Sequence, residues 1–114
     1  MGTTTLASPP AQILAFPKSA VEAGLRQELI EAIKIEASIR GIALPAAPDQ
    51  MARASVQVDS LVVVSILCNV EPILGFELPD SVVRAGGYTS VEVALVHLLP
   101  RIEKEWMKKQ GVKP

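Results

Sequence analysis

The chain has 114 residues, 49% of them hydrophobic, and a formal net charge of −1. That length admits one domain with a modest core. The balanced charge argues against nucleic-acid binding, because phosphate neutralisation needs a clear basic excess. A single cysteine, Cys68, excludes an internal disulfide and a thiolate metal cage, and fits a reducing compartment, read here as the cytoplasm.

The aromatic residues are Phe16, Phe76, Tyr88 and Trp106, so Ala, Val, Ile and Leu must build the core. No apolar run is long enough to span a bilayer, so no stable membrane insertion is expected. The N-terminus lacks the basic and apolar pattern of a secretory signal. Its start approaches a myristoylation pattern but has Leu6 where Ser or Thr is wanted.

Residues 1–18 contain Pro9, Pro10 and Pro17, which deny a helix ladder, and read as a flexible tail with Ile13, Leu14 and Phe16 available to dock. The first helix is predicted from Ser19 to Arg40. Ser19 and Glu22 have capping-box spacing, Val21, Leu25, Leu29 and Ile33 recur every four residues, and Gly41 stops the helix. Residues 42–58 read as a long connection in which Pro45 and Pro48 exclude regular structure, anchored by Ile42, Leu44, Val56 and Val58.

The second helix opens at Asp59-Ser60 and ends near Leu74-Gly75, with Asp59 as its cap. Val63, Ile66, Leu67, Val70 and Leu74 are expected inside, and Val62, Ser65, Asn69 and Pro72 outside. Pro72 predicts a kink or an early end. Beyond the connector Phe76 to Asp80, Asp80 is expected to cap a short helix from Ser81 to about Ala85, broken by a Gly86-Gly87 hinge or turn. Thr89 to Glu92 reads as a second capping box for a last helix. That helix turns Val91, Ala94, Leu95, Leu98 and Leu99 inward, is interrupted at Pro100, and resumes from Arg101 to Gln110.

Charge is unevenly spread. Residues 59–80 carry Asp59, Glu71, Glu77 and Asp80 with no Lys or Arg, a local net of −4. Residues 101–114 carry Arg101, Lys104, Lys108, Lys109 and Lys113 against Glu103 and Glu105, a local net of +3. The acidic block is either a docking face for a basic partner or a solvated helix face.

Constellations for catalysis are nearly absent. His97, the single histidine, has no metal-ligating neighbours in sequence and reads as structural or surface. Cys68 reads as a small packing residue. The adjacent side chains of Asp59 and Ser60 diverge on a helix and cannot form a base–nucleophile pair. The domain is therefore not expected to be an enzyme. A serine at a helix N-terminus remains, where the dipole and free N–H groups favour an attached phosphate; the plain alternative is an ordinary N-cap pair.

A helix, a long loop, Asp59-Ser60-Leu61 opening a second helix, the run Gly75 to Asp80, a short helix and a Thr/Ser-capped last helix together resemble the acyl carrier protein family over about residues 19–106. The resemblance implies an all-α fold: a small four-helix bundle of three longer helices and one short one, with residues 107–114 as a basic tail. It implies that Ser60 carries 4′-phosphopantetheine, attached from coenzyme A by a separate phosphopantetheinyl transferase that uses Mg²⁺. The arm's thiol would hold an acyl chain as a thioester for the acyl-loading and acyl-transfer enzymes of fatty-acid, lipid or related biosynthesis. Asp59 would serve transferase recognition, and Leu61, Val62, Ser65, Cys68 and Glu71 would meet partner enzymes, with the carrier itself a monomer. Three departures stand out: Gln57-Val58 precede the motif, Val62 and Ser65 take positions that are often acidic, and the connection around Gly86-Gly87 is longer. An aminoacyl or polyketide carrier, and a helical adaptor that never receives an arm, remain alternative readings.

Overall fold

The structure is a computed structural model and describes residues 15–111. Three long helices and one short one surround a single apolar core. Helix α1 spans Lys18–Arg40, α2 Pro48–Arg53, α3 Ser60–Leu74 and α4 Val91–Lys109, with a 3-10 turn at Asp80–Val82. Among the described residues there is no named strand, only an isolated antiparallel bridge between Val58 and Tyr88. No helix among them is long and apolar enough to cross a membrane.

Helix α1 buries Val21, Leu25, Leu29, Ile33 and Ala37. Four-residue steps overshoot the 3.6-residue turn, so this stripe winds around the helix and meets both α3 and α4. Each of the large side chains contributes roughly 1.5–3 kcal/mol by leaving water. The expected Ser19 cap does not form. Pro17 occupies the N-cap position without a side-chain bond, and its carbonyl accepts from Val21 N at 3.0 Å. At the other end Gly41 adopts φ 70°, with Gly41 N donating to Ser38 O and Ile42 N to Ala37 O at 2.8 Å. This pair of bonds satisfies carbonyls that a helix end leaves open.

The prolines of the connection do not exclude helix. Pro48 starts α2, a position whose N–H has no intrahelical partner to lose. Helix α2 packs on α4 through buried Ala52, with Arg53 3.6 Å from Glu92. Val56 and Val58 are buried anchors as expected, whereas Ile42 is exposed.

Helix α3 begins and ends where the sequence places it, and its five predicted inward residues are all buried. The early end expected at Pro72 does not occur. Pro72 is exposed and sits in the last turn, and Gly75 then caps the helix with φ 87°. The short helix expected after Asp80 shrinks to the three-residue turn, in which Asp80 is the first member and makes no side-chain cap.

Helix α4 is continuous through Pro100, which is exposed, so the predicted interruption is absent. It continues through Lys109, close to the Gln110 expected for the resumed helix. Its cap is shifted by one from the expected box: Ser90 Oγ accepts from Val93 N at 3.1 Å, so Glu92 is not at the reciprocal position. Trp106 closes the core between Phe16 and Phe76, at centroid distances of 6.0 and 6.4 Å. Phe16 therefore docks as predicted; Ile13 and Leu14 lie outside the described residues.

Candidate functional site

The start of α3 is fixed from two sides. On the helix side, Asp59 is extended and its Oδ1 accepts from Leu61 N at 2.7 Å, while its carbonyl accepts from Val63 N at 3.1 Å. On the loop side, Val58 exchanges both backbone bonds with Tyr88, at 2.8 and 2.9 Å. Gln57 adds a bond from Nε2 to Gly86 O at 3.0 Å. Gly87 lies so close that a Cβ there would stand 2.0 Å from Val58 O and 3.0 Å from Ser60 N. Its φ of 83° is also one that L side chains rarely adopt.

Tyr88 anchors this clamp in the interior. It is 1% exposed. Its hydroxyl oxygen accepts from Arg84 N at 2.8 Å and lies 2.8 Å from His97 Nδ1. Arg101 Nε donates to His97 Nε2 at 2.9 Å, which assigns the ring proton to Nδ1 and makes His97 a donor to Tyr88. Burial, then the positive charges of Arg101 and Arg84, hold the imidazole below its ordinary value of 6.5. His97 is thus a neutral structural link, in keeping with its sequence reading.

Ser60 emerges from this base as the first residue of α3, half-buried and within no strand. The first turn of α3 contains no acidic residue. The helix dipole and the first-turn N–H groups therefore act at Ser60 without a carboxylate inside the turn to oppose an anion. The neighbouring Asp59 carboxylate is occupied with Leu61 N.

The residues expected to meet partners divide. Leu61, 78% exposed, and Val62, 41% exposed, stand open beside Ser60, and Ser65 and Cys68 are exposed farther along. Cys68 is accordingly a surface thiol and not the packing residue its flank position predicted. Glu71 departs from the outward row: its Oε2 accepts from Leu78 N at 2.8 Å and holds the connector to α3. On α1, Ile35 and Ile39 are exposed at 62% and 76%. Glu28 accepts from Asn69 Nδ2 at 3.1 Å, which joins the exposed edges of α1 and α3. Between the two helices, next to Asp59, lies a groove of about 160 Å³ lined by Ala32, Glu36, Arg40, Val58 and Val62.

Sequence reasoning missed Gln57, Gly87 and Tyr88 as parts of the site. The Gly-Gly pair was legible as a turn, but no local signal tied the adjoining Tyr88 to Val58, far earlier in the chain. Among the described residues no group of His, Cys, Asp and Glu could hold a metal ion. Comparison of the chain with protein-family models, curated proteins and solved structures gives no match.

Proposed function

We propose that this protein is a carrier of the acyl carrier type, with 4′-phosphopantetheine linked to Ser60 and an acyl chain held as a thioester on the arm. The observation that carries the reading is the placement of Ser60: a half-exposed hydroxyl opening a helix on a clamped base, with no acidic side chain in the first turn. In the loading reaction the Ser60 hydroxyl oxygen would attack the pantetheine-side phosphorus of coenzyme A and break its bond to the bridging oxygen of the pyrophosphate. A serine phosphodiester forms, 3′,5′-ADP leaves, and the hydroxyl proton passes to a base of the separate transferase. The helix N-terminus favours the resulting phosphate. Asp59, which fixes the first turn, serves as the recognition element for that transferase.

The exposed Leu61 and Val62 make the docking face beside the arm apolar. Partner enzymes of fatty-acid, lipid or related biosynthesis would meet this face through burial more than through ion pairs. An aminoacyl or polyketide cargo uses the same chemistry at Ser60. An unmodified helical adaptor is the second reading, favoured by the engagement of Gln57 and Val58 in the clamp, residues that precede the motif.

The test is incubation with coenzyme A, Mg²⁺ and a broad-specificity phosphopantetheinyl transferase, followed by intact mass measurement. Wild type gains one phosphopantetheine and Ser60→Ala gains none. Absence of any gain in wild type, or a gain that persists in Ser60→Ala, overturns the carrier reading and leaves the adaptor. In the loaded protein, partner affinity should change little with salt, since screening acts on charge pairs and not on apolar burial.

A further inference from the structure

A second surface is built from different residues and does not depend on Ser60. On α4, Val93, His97, Arg101, Lys104 and Lys108 follow three- and four-residue steps and share one face. The face runs for fifteen residues by subtraction, about 22 Å of helix. Arg101, Lys104 and Lys108, with a single carboxylate, Glu105, line a depression of about 230 Å³ whose wall is Ser81 and Val82. Arg84, set 5.2 Å over the Tyr88 ring, extends the cationic stripe into a second depression of about 420 Å³ that it lines with Glu92, Val93, Val96 and His97. Val96 is 72% exposed.

Among the described residues no carboxylate pairs with Arg84, Arg101 or Lys104. Lys108 shares Glu105 at 3.3 Å in a half-exposed pair of the kind that contributes little. Arg101 is held by its Nε on His97, so its guanidinium is oriented by the fold before any ligand arrives.

We propose that this stripe docks an acidic segment of a partner protein, with carboxylates one helical turn apart and an aliphatic side chain at the end that meets Val93 and Val96. The size of the charged area decides against larger anions. Glu105 lines the first depression, Asp80 opens the 3-10 turn whose Ser81 and Val82 wall it, and Glu92 lines the second. The whole chain is at −1. A nucleic acid or an anionic membrane would extend past the stripe onto these carboxylates, within the reach of unscreened repulsion of about 8 Å at physiological salt. A short acidic segment stays within it. Val93 and Val96 beside Arg84 add an apolar contact that phosphate backbones and headgroups do not match.

The test is fluorescence anisotropy on the full chain, with a fluorescein-labelled alanine-based helical peptide carrying one leucine followed by three glutamates spaced by three and four. The Glu peptide should bind at least about tenfold more tightly than its Gln counterpart at low salt, an advantage that salt reduces. The double variant Lys104→Glu/Lys108→Glu, both positions exposed, should lose about the same factor with an unchanged circular dichroism spectrum. Amide shifts on titration should centre on residues 81–84 and on the named face of α4. Ser60→Ala should bind the peptide as wild type does, so a failure of arm loading does not touch this result. Equal binding of Glu and Gln peptides overturns the proposal. So does binding of phosphatidylserine vesicles or a single-stranded oligonucleotide as tight as that of the peptide, peptide-induced shifts centred on Leu61 and Val62, or loss of peptide binding in Ser60→Ala.

Discussion

The exposed face at the start of α3 and the exposed face of α4 are made from opposite materials. The first presents Leu61 and Val62 beside Ser60. The second presents Arg101, Lys104 and Lys108, continued by Arg84. Yet both depend on one buried residue. The backbone of Tyr88 pins Val58 ahead of Ser60, and its ring and hydroxyl support Arg84 and His97 under the basic stripe. The difference teaches that a small bundle can present two unlike surfaces from one anchor, because main chain and side chain of the anchor serve different sides.

The strongest way to break the comparison is at the junction itself. Gly87→Ala places a methyl 2.0 Å from a backbone oxygen in a left-handed conformation, and backbone cannot swing aside as a side chain end can. We expect a loss of roughly 3–5 kcal/mol in urea unfolding, with both faces disturbed. An unchanged midpoint would show that the clamp is dispensable.

Tyr88→Phe sharpens the contrast by separating the two roles. It keeps both backbone bonds to Val58 but removes the acceptor for Arg84 N and the partner of His97. The expected loss is about 1–3 kcal/mol, from leaving two donors, Arg84 N and His97 Nδ1–H, without their shared acceptor. Ser60 loading should persist while binding of the acidic peptide weakens; equal damage to both would show that the faces are not separable.

The smallest effect is that of pH, and it enters through His97 beneath the basic stripe. His97 is held below 6.5 by burial and by Arg101 and Arg84. The unfolded chain therefore binds this proton more readily than the folded one. The stability it supports is fully present above the unfolded value and falls as pH drops through the lower folded value. Thermal unfolding followed from about pH 7.5 down to about pH 5 should show this slope in wild type and a shallower one in His97→Gln.

Much of this was legible in the sequence where periodicity governs. The inward sets of α1 and α3 emerge from apolar spacing, and Asp59 is a cap that one side chain and one N–H suffice to make. Capping at α4 was ambiguous because Thr89 and Ser90 both carry the needed hydroxyl, and which one caps depends on where the preceding loop delivers the chain. The prolines misled for a related reason. A helix start has no partner to lose, as at Pro48, whereas Pro72 and Pro100 each forfeit one intrahelical bond, on exposed sides of helices whose packing continues past them. Of the candidate site, Ser60, Leu61 and Val62 could be placed from local pattern alone. Glu71 could not, since its outward helical position gives no sign that Leu78 N draws it back. The clamp was out of reach because it joins segments distant in sequence, and the residues that make it carry no chemistry of their own.

Trp106, the only tryptophan of the chain, rests between Phe16 and Phe76, beyond the far end of α3 from Ser60. Helix α3, about 22 Å long, runs from Ser60 to the connector that carries Phe76. Its emission is therefore an optical gauge that ignores events confined to the serine and answers only when the N-terminal approach, the connector or the whole bundle shifts, giving experimenters a label-free way to tell a local change from a global one.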